Sequence, residues 1–443
     1  GQPQVERQGE PRGRSEGGRP PPEAIALPAG CPEPGDGTAA PAKLLLVHPF
    51  EQGCGLPSGS TRSCGQFNNI LASLLQALAL SRVLCRTLLL PGFFVRSGDR
   101  SRIDSTYREA WMPTSHFLDI SVLSAAFHVR DLAQWVREQR DSQQHHGGGA
   151  TKGVTVELPL LLARDEHAAR FARAAAAALN LSFARVATDE PWPNGYQHGS
   201  DDAVPPGYWR EFGASGRGAS ADLLAFGSPV AFGFDWQHFR SDDALRWVRG
   251  RIAFVPSVRA EAARVAQHLF GGEPYLAVQI RRGADRLTGF CYNNDVQLAV
   301  KKRALWGWNM SMPMCYPHVE EVSSAILATM ARVRLRHVYL ATDSPRPELF
   351  EAPLRAHGVH FVRYADAAPA AAPAEHLLLV DQLVCAHAAF FLGNAPSTVT
   401  STIVHERDKL GLPRNSTDFF GFGPTERADF DSDEWVPTAA FRG

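Results

Sequence analysis

Two arginines end a run of strand-type residues in Tyr275-Leu-Ala-Val-Gln279-Ile280-Arg281-Arg282-Gly283-Ala284-Asp285. Alternation along a strand puts Arg281 and Arg282 on opposite faces, so one can face a cleft while the other pairs with surface carboxylates. A guanidinium offers a planar fork of donors that fits a phosphate. A structural pair with Asp285 explains the same residues equally well. Three other short stretches combine polar side chains with turn formers. Cys64-Gly65-Gln66-Phe67-Asn68-Asn69 stands directly before an apolar-periodic run that starts at Ile70. Gly65 permits a tight turn, Asn68 or Asn69 can cap, and the free N–H groups of a helix start suit an anion. Ala341-Thr342-Asp343-Ser344-Pro345 lies between a strand pattern and a helix pattern, and Asp343 can accept two hydrogen bonds from a purine such as guanine. Gly393-Asn394-Ala395-Pro396-Ser397-Thr398-Val399-Thr400 offers hydroxyls and a helix start suited to a pyrophosphate. Taken singly, the first, third and fourth loops are explained by ordinary helix capping. Four such loops in one chain, one with arginines, point to a phosphate-bearing ligand in a shared cleft.

The elements that must carry these loops alternate. Strand patterns fall at 43–47, 87–90, 275–280, 338–341 and 390–392, and helix patterns at 70–82, 318–333, 375–386 and 398–407. Strands alternating with helices predict parallel α/β sheets. Two such blocks separated by a less regular middle predict two Rossmann-like domains, divided between 245 and 270. In an open parallel sheet the ligand sits beyond the carboxyl ends of the strands, where all four loops lie. The expected division is a disordered stem or linker over 1–42, an N-terminal domain over 43–250, a C-terminal domain over 251–430 and a tail over 431–443. The stem is rich in Gly, Pro, Arg and Glu and poor in the residues that build a core. Two stretches, 141–153 and 365–374, read as surface insertions. His145 and His146 precede three glycines and read as loop residues rather than metal ligands.

Composition narrows the class. The chain has 443 residues, 44% hydrophobic and 21% charged, which is enough for two domains with real cores. A formal net charge of -1 without a long basic block argues against a nucleic-acid partner. No apolar run is long enough to cross a bilayer. The chain starts Gly1-Gln2-Pro3, so the native N-terminus is expected to precede it, and a signal peptide or membrane anchor could stand there. None of Cys31, Cys54, Cys64, Cys85, Cys291, Cys315 and Cys385 forms a CxxC pair, and no structural zinc is expected. Cys54/Cys64 and Cys291/Cys315 flank short loops and fit either loop-closing disulfides or buried thiols. Sequons at Asn180, Asn309 and Asn415 hint at a secretory route.

At these residues the sequence resembles the GDP-fucose protein O-fucosyltransferase family, in particular its members acting on EGF-like repeats. The resemblance rests on Gly65-Gln66-Phe67-Asn68-Asn69, on Pro274 to Asp285, on Met312-Pro-Met-Cys315-Tyr-Pro, on Val338-Tyr-Leu-Ala-Thr-Asp343-Ser344, and on Phe391 through Asp408 with Phe419-Phe420-Gly421. It implies a GT-B fold, with GDP-fucose between two Rossmann-like domains. It also implies inverting, metal-independent transfer of L-fucose to a Ser/Thr hydroxyl in the lumen of the endoplasmic reticulum or Golgi, with no cofactor. Carried over, Arg281 would meet the β-phosphate and stabilise departing GDP, and Asn69 would line the sugar and acceptor end. Gly65, Gln66, Phe67 and Asn68 would border the nucleotide, with Gln279 and Ile280 beside it through their backbone. Asp343 and Ser344 would hold the guanine, and Ser397, Thr398, Val399 and Thr400 the pyrophosphate. Asp285 is the candidate base.

The chain departs from the family at Gln66, where arginine is usual, and at Gln279, where histidine is usual. Arg282 replaces an apolar residue, Ala395 replaces a half-cystine, and residues 436–443 show no retrieval signal. Two other functions stay in view: transfer to a glycan acceptor, and a catalytically silent protein that binds the nucleotide sugar.

Overall fold

The computed structural model describes residues 24–36, 39–47, 67–90, 92–97, 108–145, 154–157, 183–187, 222–226, 243–281, 312–344, 346–367, 373, 376–395, 397–421, 428–429 and 436–437. The N-terminal half holds strands β1 (Leu44–Val47), β2 (Thr87–Leu90), β5 (Val129–Asp131), β6 (Val154–Glu157), β7 (Phe183–Ala187) and β8 (Leu223–Phe226). They form a parallel sheet in the order β5-β2-β1-β8-β6-β7. Strands β3 (Phe93–Ser97) and β4 (Arg108–Met112) make a separate antiparallel pair. Helices α1 (Phe67–Val83), α2 (Ile120–Ser124), α3 (Leu132–His145) and α4 (Asp243–Arg249) belong to this half.

The C-terminal half has helices α5 (Pro256–Phe270), α6 (Met312–Cys315), α7 (Val319–Val333), α8 (Glu351–Arg355), α9 (Leu377–His387) and α10 (Thr398–Lys409). Its strands are β9 (Tyr275–Ile280), β10 (His337–Thr342), β11 (Phe361–Val362), β12 (Phe390–Gly393) and β13 (Thr417–Phe419). All are parallel, in the order β11-β10-β9-β12-β13. Strand β9 is buried along its whole length, as expected for a central strand covered on both faces. The chain leaves β9 toward β10 on one side and returns to β12 on the other. The carboxyl ends of β9 and β12 therefore flank a topological switch point, where a ligand crevice forms.

The two halves share one apolar core. A single buried cluster runs from Leu45, Leu78 and Leu88 through Val248 and Val258 to Tyr275, Val384 and Ile403. Helix α5 packs on α9, and α1 on α4 and α10. Lys409 Nζ donates to Ile252 O at 2.7 Å, and His376 Nε2 to His116 O at 3.0 Å.

Two local outcomes differ from the sequence reading. Helix α1 begins at Phe67 rather than Ile70. Phe67 stacks on Phe93 with ring centres 4.5 Å apart and meets Phe117 edge-on at 5.2 Å, so aromatic burial pulls Phe67 into the helix against a weak propensity. Helix α3 runs to His145 and takes the first residues of the expected 141–153 insertion.

Part of the expected stem, residues 24–36, is held against the end of α1. Ile25 is buried, and Arg82 donates to Ile25 O at 2.6 Å and Ala126 O at 3.0 Å, and reaches Glu33 at 3.3 Å. A Cys31–Cys85 disulfide closes this strap across a separation of 54 residues. A Cys31→Ser variant should lose about 2–4 kcal/mol of stability. Thermal denaturation would read this as a lower Tm, matched by reducing the wild-type protein. Equal transitions in all three samples would show that the noncovalent contacts suffice to fasten the strap.

Candidate functional site

Three of the loops singled out in the sequence meet at the carboxyl edge of the second sheet. Arg281 follows β9, Asp343 follows β10 and Asn394 follows β12. The Arg281 backbone N–H donates to Asn394 Oδ1 at 2.8 Å. Asn394 Nδ2 donates to Met314 O at 3.1 Å, and the Ser397 N–H donates to Asn394 O at 3.0 Å. With no exposed surface, Asn394 fixes the Arg281 backbone, the α6 turn and the start of α10 in one frame. Composition alone does not give Asn394 this role. The only sequence signal is its place after the glycine that ends a buried strand.

The Arg281 guanidinium lies 3.6 Å from Asp343, Nε to Oδ2, with the two side chains 10% and 28% exposed. The structure thus pairs Arg281 with Asp343. The alternative partner Asp285 lies outside the described residues, as do Gly65, Gln66 and Arg282. A guanidinium's planar fork of donors is of the kind that fits a phosphate. Thr342 Oγ1 donates to Ile280 O at 2.7 Å and accepts from the Ser344 N–H at 3.1 Å. Ser344 Oγ accepts from the Arg346 N–H at 3.2 Å, so this hydroxyl closes its own turn. Ile280 is a core residue with no exposure.

Beneath the edge, Thr400 Oγ1 donates to Gln279 Oε1 at 2.6 Å, and both residues are buried. Gln279 therefore ties β9 to the first turn of α10. Strand and helix approach so closely here that a Cβ on Gly393 would sit 2.8 Å from Phe391 Cζ and 2.9 Å from Thr400 Cγ2. Only glycine fits without moving one of them. In the first turn of α10, Val399 and Thr400 face inward and Thr398 is half-buried. Ser397 is 1% exposed and its Oγ has no protein hydrogen-bond partner. A buried hydroxyl costs free energy unless it meets an acceptor. Together with the N–H groups of a helix start, it gives the α10 terminus the kind of chemistry that suits an oxyanion.

The first loop contributes differently from its sequence reading. Phe67 is part of the aromatic core described above. Asn68 is 3% exposed, and its Oδ1 accepts from Gln382 Nε2 at 3.1 Å and Thr402 Oγ1 at 3.0 Å. It joins α1 to α9 and α10. Asn69 lies in the first turn of α1, with its side chain outside the described set. Beside Asn68, Leu75, Thr402 and Lys409 line a cavity of ≈ 50 Å³ between α1 and α10. That volume suits a water or two and excludes a nucleotide.

Two buried groups bear on the chemistry. Burial pushes the Cys385 thiol well above its usual range, so it carries little thiolate and is no nucleophile. Burial also pulls Arg407 down to about 10, which leaves it charged near neutral pH. Arg407 donates to Ala386 O, Ala388 O, Ser416 O, Ser416 Oγ and Thr417 Oγ1 at 2.6–3.1 Å.

Comparison with known proteins gives the family and the fold. A family model described as GDP-fucose protein O-fucosyltransferase matches residues 61–410, which include every strand of the second sheet except β13. GDP-fucose protein O-fucosyltransferase 2 of Homo sapiens is 30% identical over 172 residues, covering 38% of this chain and 34% of that protein. The Caenorhabditis elegans protein of the same name is 27% identical over 189 residues, covering 42% of this chain and 37% of its own length. The match thus spans about a third of the length of these curated relatives. A crystal structure of POFUT1 in complex with GDP superposes with a TM-score of 0.60 at 15% identity, covering 87% of this chain and 100% of that one. A second, in complex with GDP-fucose, also gives 0.60 at 15%. At that identity the likeness establishes the fold: the expected α/β GT-B architecture with two parallel-sheet halves.

Proposed function

We propose, from the premise that this chain belongs to the GDP-fucose protein O-fucosyltransferase family, that it transfers L-fucose from GDP-fucose to a Ser/Thr hydroxyl of a protein with inversion at the anomeric carbon. The observation that carries the reading is the frame in which Asn394 fixes the Arg281 backbone and the α10 start at the carboxyl ends of β9 and β12. The acceptor oxygen attacks the sugar's anomeric carbon as the bond from that carbon to the β-phosphate oxygen breaks. The electron pair leaves with GDP and the hydroxyl proton passes to a base. Negative charge grows on the diphosphate, so the Arg281 guanidinium and the N–H groups of α10 act chiefly in the transition state.

Thr398 and Ser397 stand at the helix start that would hold the pyrophosphate, and Asp343 lies close enough to Arg281 to reach the same ligand. Asn68, Phe67 and Ile280 are committed to packing and would shape the site from behind. Gln279 would act through its backbone, since its side-chain carbonyl serves Thr400. Asn69 and Asp285 remain our assignments for the acceptor side and the base. The Cys31–Cys85 disulfide supports an oxidising lumen such as that of the endoplasmic reticulum or Golgi.

The test is to give the enzyme GDP-fucose with folded EGF-like repeats, thrombospondin repeats and oligosaccharides in parallel, and to locate the added deoxyhexose by mass spectrometry. Fucose on a Ser or Thr of a folded repeat is expected, with EGF-like repeats the favoured acceptor. Label on the oligosaccharides alone would move the acceptor class to glycans. Binding of GDP-fucose without any turnover would sink the enzymatic reading.

A further inference from the structure

We propose that Asn415 is an N-glycosylation site, modified before the C-terminal sheet closes, and that its glycan shields the outer edge of that sheet. The sequence Asn415-Ser416-Thr417 satisfies the Asn-x-Ser/Thr rule. Asn415 is exposed in the short turn Arg414–Ser416. The turn leads directly into β13, which pairs with β12 on one side and is the edge strand of the sheet. An edge strand offers backbone N–H and C=O groups to any passing strand, and proteins commonly guard such edges. A bulky, solvated oligosaccharide rooted at the first turn of that edge would block the approach. The other two sequons, at Asn180 and Asn309, fall outside the described residues.

The order of events follows from Thr417. In the folded protein this residue is 2% exposed, and its Oγ1 accepts from Arg407 Nε at 3.0 Å. The neighbouring Ser416 oxygens accept from the same guanidinium. The hydroxyl that a glycosylating enzyme must recognise is thus held inside by Arg407 once α10 and β13 are docked. Modification therefore belongs to the extended chain. The donor would be an oligosaccharide on a lipid pyrophosphate. A bond forms from Asn415 Nδ2 to the sugar's anomeric carbon. The bond from that carbon to the pyrophosphate oxygen breaks, the lipid pyrophosphate takes the electron pair, and the amide proton goes to the enzyme's base. The Cys31–Cys85 disulfide fits the compartment where such donors are used. None of this depends on the fucosyl-transfer reading.

The experiment is to express the full chain in a secretory eukaryotic cell, map glycopeptides, and compare wild-type, Asn415→Gln and Thr417→Ser. Wild-type should carry a glycan at Asn415. Thr417→Ser keeps a hydroxyl for both the sequon and Arg407 and should stay modified. Asn415→Gln should lose that glycan, keep its Tm, and show at least about a two-fold larger aggregated fraction on concentration. Secreted wild-type protein bare at Asn415 would overturn the site. An unchanged aggregated fraction in Asn415→Gln would overturn the shielding role. Purified unglycosylated protein, offered a glycosylating enzyme and its lipid-linked donor, should be modified only after unfolding. Equal modification of the folded form would overturn the order of events.

Discussion

Arg281→Ala is expected to lower fucosyl transfer by at least about 10²–10³-fold while leaving the unfolding transition nearly unchanged. The magnitude is that of deleting one preorganised donor that faces charge developed only in the transition state. The fold is spared because Arg281 is held by its backbone N–H, which alanine retains, through Asn394 Oδ1. The ion pair with Asp343 at 3.6 Å is among the interactions lost, and Asp343, at 28% exposure, can turn to water instead. Arg281→Lys should fall nearly as far, since an ammonium cannot present two parallel donors to a phosphate. The loss should appear mainly in kcat, with GDP affinity reduced less. Near wild-type turnover in the alanine variant would remove Arg281 from the mechanism. A collapse of Tm would show that its side chain is structural instead.

A larger effect on stability is expected at Arg407. Its guanidinium serves five acceptors drawn from the end of α9, the approach to β12 and the start of β13. Arg407→Ala takes its donors away from those carbonyls and hydroxyls, at about 1–3 kcal/mol for each that neither water nor another group can reach. A total loss of about 3–5 kcal/mol is expected, enough to unfold much of a marginally stable domain. Denaturant unfolding would measure it, with Arg407→Lys falling between alanine and wild-type because one ammonium cannot reach all five acceptors. A change below about 1 kcal/mol in the alanine variant would show that the acceptors find water.

The sequence made three strands of the second sheet legible because they are short, largely apolar and closed by turn residues. The 275–280 strand has the observed bounds, and the 390–392 strand only gains Gly393. The ends of the helices were less legible because tertiary packing sets them. Phe67 joins α1 through rings at Phe93 and Phe117, which are far away in sequence. The same limit hid the true job of Asn68. An asparagine before a helix pattern reads as a cap or ligand donor, and its partners Gln382 and Thr402 lie more than three hundred residues on. Arg281 and Asp343 were identified by chemistry, yet their pairing with each other could not be read without the sheet order. Cys31 and Cys85 drew no attention because a strap across a helix end has no local spacing signal.

The apolar cluster common to both sheets carries a consequence for turnover. Swinging the halves apart like a clam would tear α5 from α9 and α1 from α10, wetting residues such as Val258, Leu78 and Ile403. At roughly 25 cal/mol per Å² of newly wetted apolar surface, such a gape is prohibitive on a catalytic timescale. A nucleotide bound as proposed would therefore have to leave with the two halves still packed together.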